Sequence, residues 1–265
     1  QVGVYRSYIY GESWKMDVHQ DYLYLNLYNG LDIEILNISN PLSPELVGFY
    51  SSSNPINNNY VKNPKFIGVL VYEEYLFAYE QRDYFSNPQG YLHILDIKNP
   101  ASPQLITRIA NGGEPVAASS EYLFTDLNGN LEILRGLKVY NISDFDQPVL
   151  FYEDPSIWSI MDVEIVGDIA FVGFQGLHIW DISNPTGFIE LSKSKRLPNC
   201  YKIIIDGKYA YVGTSHGVYV FDVSNLEDPK LVVKSWDLQA KDMYLQDGYL
   251  YVVGYGGLYV FKALD

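Results

Sequence analysis

Residues capable of chemistry are few in this chain and poorly spaced for it. The four histidines, His19, His93, His178 and His216, share no metal-ligand spacing, and Cys200 is the sole cysteine, which excludes an internal disulfide and a cysteine-based zinc site. No Ser-His-Asp or Cys-His set can be assembled, and no glycine-rich phosphate loop is present. Asp126, Asn128 and Asn130 offer oxygens at alternate positions, loosely like a calcium loop. Asn128-Gly-Asn130 is equally an ordinary hairpin turn, and the remaining ligands of a calcium loop are missing. The residues thus call for no catalytic group, no metal and no cofactor.

Aromatic side chains are the better candidates. Trp14, Trp158, Tyr201 and Trp236 can stack on sugar rings or anchor a protein partner, or they can cap an apolar core. Which of these holds depends on the elements that carry them.

Those elements repeat. An aromatic-rich strand after a short polar turn recurs at Tyr22-Leu-Tyr24, Tyr75-Leu-Phe77, Tyr122-Leu-Phe124, Ile169-Ala-Phe171, Tyr209-Ala-Tyr211 and Tyr249-Leu-Tyr251, with a repeat of roughly 42 residues. A second anchor, of the form Ile-Leu-Asn-Ile-Ser-Asn-Pro, puts Asn37, Asp96, Asn141, Asp181 and Asp222 in one register. Each unit reads as four short alternating strands separated by Gly, Asn, Asp and Pro turns. The expectation is an all-β, six-bladed β-propeller with four-stranded antiparallel blades, forming a single domain over residues 1–265. The sixth copy ends after its third strand, at Val260-Phe-Lys262, while Gln1-Val-Gly-Val-Tyr5 matches the outer strand Leu46-Val-Gly-Phe-Tyr50. The N-terminal strand is therefore expected to complete the last blade, leaving no open edge.

Strand parity assigns the loops to two faces. The turns after the first and third strands are short throughout, and Asn37-Ile-Ser39 and Asn141-Ile-Ser143, which match the glycosylation pattern, read there as Asx-type turns. The long insertions, 51–65, 81–90 and 127–136, fall on the other face, together with Trp14, Trp158, Tyr201 and Trp236. Trp180 is equivalent to Leu36, Leu95, Tyr140, Phe221 and Phe261 and reads as core. His93 and His178 occupy one repeat position, which points to a strand-surface role.

One column carries charge. Seven residues before each aromatic anchor stand Lys15, Gly68, Pro115, Asp162, Lys202 and Asp242, so blades four, five, six and one present Asp, Lys, Asp, Lys. An ion-pair network between blades at the tunnel mouth is expected, with pairing that lowers the pKa of Asp162 and Asp242.

The segments Gly176-Leu-His-Ile-Trp-Asp-Ile-Ser-Asn-Pro185 and Gly217-Val-Tyr-Val-Phe-Asp-Val-Ser-Asn225 closely resemble the LVIVD repeat family. That resemblance covers essentially the whole chain and implies a propeller on a bacterial or archaeal cell surface, with little implication of chemistry. The third copy departs from the pattern at Asp144-Phe-Asp-Gln-Pro148 and the fifth at Leu226-Glu-Asp-Pro229. A net charge of −14 argues against nucleic acid, and no apolar run is long enough to span a membrane. The first residue is Gln, so any signal or anchor segment would lie ahead of this sequence. The reading is a non-enzymatic binding or adhesion module, extracellular or on the cell surface, that offers its insertion-bearing face to a protein or glycan. The alternatives are a glycosidase or lyase using carboxylates at the tunnel mouth, or a structural spacer.

Overall fold

The structure is a computed structural model that describes residues 13–27, 32–51, 65–81, 90–127, 136–157, 160–184, 187–194, 197–235 and 238–264. It is all β, six sheets of antiparallel strands that form the blades of a six-bladed β-propeller. By contacts the chain forms two units, Gln1–Ser156 and Ile157–Asp265.

In the first unit, blade 1 runs β1 (Ser13–His19), β2 (Tyr22–Leu27), β3 (Asp32–Asn37) and β4 (Glu45–Ser51). Blade 2 follows with β5 (Lys65–Tyr72), β6 (Tyr75–Gln81), β7 (Tyr91–Asp96) and β8 (Gln104–Ala110). Blade 3 is β9 (Glu114–Ala118), β10 (Tyr122–Asp126), β11 (Leu137–Asn141) and β12 (Val149–Asp154). The second unit holds blade 4, with β13 (Val163–Val166), β14 (Ile169–Gly173), β15 (Leu177–Asp181) and β16 (Ile189–Lys193). Blade 5 is β17 (Cys200–Asp206), β18 (Tyr209–Thr214), β19 (Gly217–Asp222) and β20 (Lys230–Lys234). Blade 6 has three strands among the described residues, β21 (Asp242–Gln246), β22 (Tyr249–Gly254) and β23 (Gly257–Lys262). The Gln1–Tyr5 segment expected to supply its fourth strand lies outside the described residues.

The aromatic anchor forms the second strand of each blade, and its apolar run reflects burial on both faces. Leu76, Phe77 and Ala78 of β6 are fully buried: Leu76 and Ala78 pack against Ile33 and Ile35 of blade 1, while Phe77 packs against Leu123 and Tyr140 of blade 3. In the second unit, Leu177 and Ile179 of blade 4 meet Ile203, Ala210 and Val212 of blade 5 in the same way. Trp180 is buried beside Phe188, as its repeat equivalents predict.

Each Asn or Asp of the second anchor closes the turn after the third strand. Asn37, Asp96, Asn141, Asp181 and Asp222 accept the backbone N–H two residues on, at 2.8 to 3.1 Å. The two sequon asparagines are thus turn residues. Three residues later Asn40, Asn99, Asp144 and Asn225 repeat the motif at 3.0 to 3.2 Å.

Two features are not visible in the repeat alone. All five complete blades carry a β-bulge in the outer strand, at Val47, Ile106, Phe151, Leu191 and Val232. Gly48, beside the first of them, faces the turn of the next blade, and a Cβ there would stand 2.3 Å from the Pro100 carbonyl oxygen.

Candidate functional site

The first strands carry the charged column. In the second unit Asp162, just ahead of β13, meets Lys202 of β17 at 3.2 Å. The Ile203 amide donates to Asp162 Oδ2 at 2.7 Å, so one carboxylate engages both the backbone and the ammonium of the neighbouring blade. Of the expected network, the Asp–Lys pair between blades four and five is present, while Lys202 and Asp242 of blades five and six form no ion pair with each other.

The expected direction of the Asp162 pKa is wrong. Burial pushes it above the ordinary carboxylate value, outweighing Lys202 and the Ile203 amide, and Asp242 pushes it the same way. Burial also disfavours the Lys202 ammonium, but Asp162, Glu164 and Asp242 together raise its pKa. The depths differ: 12% of the Asp162 side chain is exposed against 33% of Lys202, so desolvation falls harder on the acid. Glu164 is likewise raised, by burial first and then by Asp162. Asp242 is exposed, accepts the Met243 amide at 2.9 Å and acts on the pair through space.

In the first unit, where the column reads Lys15, Gly68 and Pro115, the partner of the lysine comes from blade 3. Lys15 of β1 pairs with Glu114 of β9 at 2.5 Å, reaching past blade 2 to blade 3. Glu114 stands one residue before the column's Pro115 and is invisible to a strict register. Gly68 of blade 2 leaves the room: a Cβ there would lie 2.5 Å from Glu114 Cγ. Asn26 fastens the same corner, accepting from the Lys15 amide at 2.6 Å and donating to the Phe66 carbonyl at 3.0 Å. Asp17 accepts the Val71 amide at 2.7 Å.

Where these strands begin, the ladder bulges. The extra residue is Trp14 in blade 1, Ile67 in blade 2 and Tyr201 in blade 5, one repeat position, and bulges re-aim the side chains they carry. Tyr201 is half-buried beside Lys202. The Trp14 side chain, Trp158 and Trp236 lie outside the described residues, as do Asn128 and Asn130, while Asp126 is buried at the end of β10. Among the described residues no group of three or more His, Cys, Asp or Glu is placed to hold a metal ion.

His93 corrects the strand-surface reading. It is fully buried between blades 1 and 2, with Nε2 2.8 Å from Glu80 Oε2 and Nδ1 2.8 Å from the Tyr50 hydroxyl. Alternate residues of a third strand face a neighbouring blade rather than water, so strand alternation does not imply exposure. His178, its equivalent, is half-buried and bonds within blade 4, to Glu190 at 2.6 Å and the Phe174 carbonyl at 2.8 Å. Glu80 carries a sequence signal that position-by-position comparison reveals, since its column otherwise holds Leu27, Leu127, Phe174, Thr214 and Gly254.

Repeats of this sequence and blades of this order define a β-propeller of the LVIVD repeat class. The chain matches that family over residues 10–52, 68–110, 159–194 and 200–235, more than half its length, and belongs to it. A protein of unknown function from Desulfotomaculum acetoxidans DSM 771 is similar at a TM-score of 0.70 and 15% identity, covering 96% of this chain and 83% of that one. A chain of a mitotic checkpoint complex is similar at 0.68 and 10%, covering 92% and 72%. BamB from Moraxella catarrhalis is similar at 0.59 and 12%, covering 94% and 69%. Identities this low bear on the fold alone. No curated protein matches the chain. Among the described residues no helix is long and apolar enough to cross a membrane.

Proposed function

We propose that this chain is a non-enzymatic binding module of the cell surface that presents its insertion-bearing face to a protein or a glycan. One observation carries the reading. Segments 52–64, 82–89 and 128–135 join β4 to β5, β6 to β7 and β10 to β11, and antiparallel order puts all three junctions at one end of the first unit's sheets. The opposite ends are closed by short turns that the Asx contacts hold tight. Elaboration confined to one end of a rigid scaffold is how β domains build recognition surfaces. The bulges at Trp14 and Ile67 and the Lys15–Glu114 pair lie at that same end. A protein partner fits the use of propellers as assembly platforms, and the mitotic checkpoint complex is one assembly that includes such a fold.

The raised pKa of Asp162 gives the enzyme alternative its best support, because burial that raises a carboxyl's pKa is how general acids are tuned. Its oxygens are nevertheless committed to Lys202 and the Ile203 amide, which favours the structural role. A screen of glycans and surface proteins tests the binding reading. Replacing the three segments together with short turns should abolish any hit while the fold is kept, and binding that survives would refute the assignment of the face.

A further inference from the structure

The boundary between blades 1 and 2 holds a chain of polar groups where an apolar core would suffice. Tyr50 comes from β4, Glu80 from β6 and His93 from β7, and both Glu80 and His93 are fully buried. As a carboxylate, Glu80 can only accept, so Nε2 of His93 carries the hydrogen between them and Nδ1 faces the Tyr50 hydroxyl. Phe66 closes the site from β5, its ring 5.4 Å from His93 and 5.8 Å from Tyr50 between centroids. Burial pushes the Tyr50 hydroxyl up to about 12, with Arg108 opposing, so Tyr50 stays a neutral hydroxyl.

Stability does not account for such a network. Desolvating a carboxylate costs several kcal/mol, and replacing a buried ionic set with apolar side chains of like volume is often neutral or favourable. What the network supplies is direction. Blades repeat one sequence and meet through aliphatic and aromatic contacts that are alike at successive boundaries, such as Ile33 and Ile35 against blade 2 and Leu92 and Ile94 against blade 3. Apolar contact of this kind discriminates poorly between similar neighbours, and misassembly is the usual failure of repeat proteins. The position of Tyr50 against the third strand is occupied by Ile109 in blade 2, Asp154 in blade 3, Ser194 in blade 4 and Ser235 in blade 5; none is a phenol, and Asp154 and Ser194 are engaged within their own blades by Ser156 and the Leu177 amide. At the His93 position, Lys138 and His178 turn to acids of their own blades, Glu153 and Glu190, as His93 does to Glu80, so what sets the boundary between blades 1 and 2 apart is the Tyr50 hydroxyl on Nδ1.

We propose that the Tyr50 hydroxyl and the buried His93–Glu80 pair form a registry lock, a polar key that is satisfied when blade 2 docks on blade 1 and is left without the phenol when blade 2 docks on a second copy of itself or on blades 3 to 5. A misplaced blade 2 keeps its own Glu80–His93 bond but buries Nδ1 of His93 without the Tyr50 hydroxyl, and that unmet polar group disfavours the wrong neighbour during folding.

Two variants of the full chain test this. The triple replacement Tyr50→Phe, Glu80→Met and His93→Leu should keep or raise the melting temperature, yet refold from denaturant into more than one species. Those species would show as duplicated amide resonances around Phe66 and Val71 and as exchanged oligomers in light scattering. His93→Leu alone should lower the folding equilibrium constant by about 100-fold or more, because Glu80 is left buried without its imidazole. A triple variant that refolds to one species with wild-type behaviour would overturn the lock, as would one that loses its cooperative transition without forming a second species. A His93→Leu loss below about threefold would overturn it as well, by showing that the network is not held in the fold.

Discussion

Ile203 donates its amide to the carboxylate of Asp162 at 2.7 Å, and the preceding side chain, Lys202, closes on the same carboxylate at 3.2 Å. One acid thereby fixes two adjacent first strands by backbone and side chain together. Asp162→Ala should cost about 1.5–3 kcal/mol in urea unfolding, and Asp162→Asn less, because its amide oxygen still accepts from Ile203.

The pH dependence of that acid runs opposite to the usual carboxylate. Its folded pKa is raised, so between the ordinary value of about 3.9 and the folded value the native state holds more protons than the unfolded chain. This group's contribution therefore improves as pH falls through that window and worsens as pH rises through it. Lys202, also raised, adds stability that is complete below about pH 10.4 and lost as pH rises through its folded value. Wild type compared with Asp162→Asn over pH 3.5 to 7 should show the acid-side gain in wild type alone; equal profiles would count against the raised pKa.

Asp181 and Asp222 titrate the other way. The Ser183 and Ser224 hydroxyls, then the same residues' amides, hold their carboxyls below the usual range. Stability from these turns is present above the ordinary carboxylate pKa and lost as pH falls through the depressed one. Ser183→Ala should move the Asp181 carboxyl resonance toward an ordinary titration midpoint while leaving that of Asp222 in place.

Two glycines are held by close approach. Gly48→Ala puts a methyl 2.3 Å from a backbone oxygen that cannot step aside, and should cost about 1–3 kcal/mol. Gly68→Ala meets the flexible Glu114 side chain instead, and should cost less while breaking the Lys15 contact. A double-mutant cycle of Gly68→Ala with Lys15→Met measures that coupling.

Tyr201 is the one proposed contact residue whose side chain the structure describes, half-buried on its bulge. Tyr201→Ala should weaken binding of any ligand found by more than about 1 kcal/mol while moving the melting temperature little. A large stability loss with unchanged affinity would make it a core residue.

The repeat, the blade order and the Asx turns were legible in the sequence because each rests on local periodicity and on turn residues at fixed offsets. The bulges were not, since one extra residue in Leu46-Val47-Gly48 leaves the composition of the strand unchanged. Glu114 escaped because the column shifts by one residue in blade 3. The Tyr50–His93–Glu80 chain escaped because its partners come from strands far apart in sequence, and alternation alone suggested a solvent-facing histidine. The direction of the Asp162 pKa depends on depth, which a charge pattern does not encode.

The outer-strand bulges have a consequence for how the protein behaves in a crowd. Five strands, β4, β8, β12, β16 and β20, run along the rims of their sheets and carry exposed apolar residues such as Phe49, Val149 and Leu231. A straight rim of that kind is a template on which a second chain can zip, amide to carbonyl, into a growing stack. One surplus residue in the middle of each rim throws that row out of step, so an incoming strand that matches one half is misaligned with the other. The same residue that twists each blade thus keeps neighbouring molecules apart.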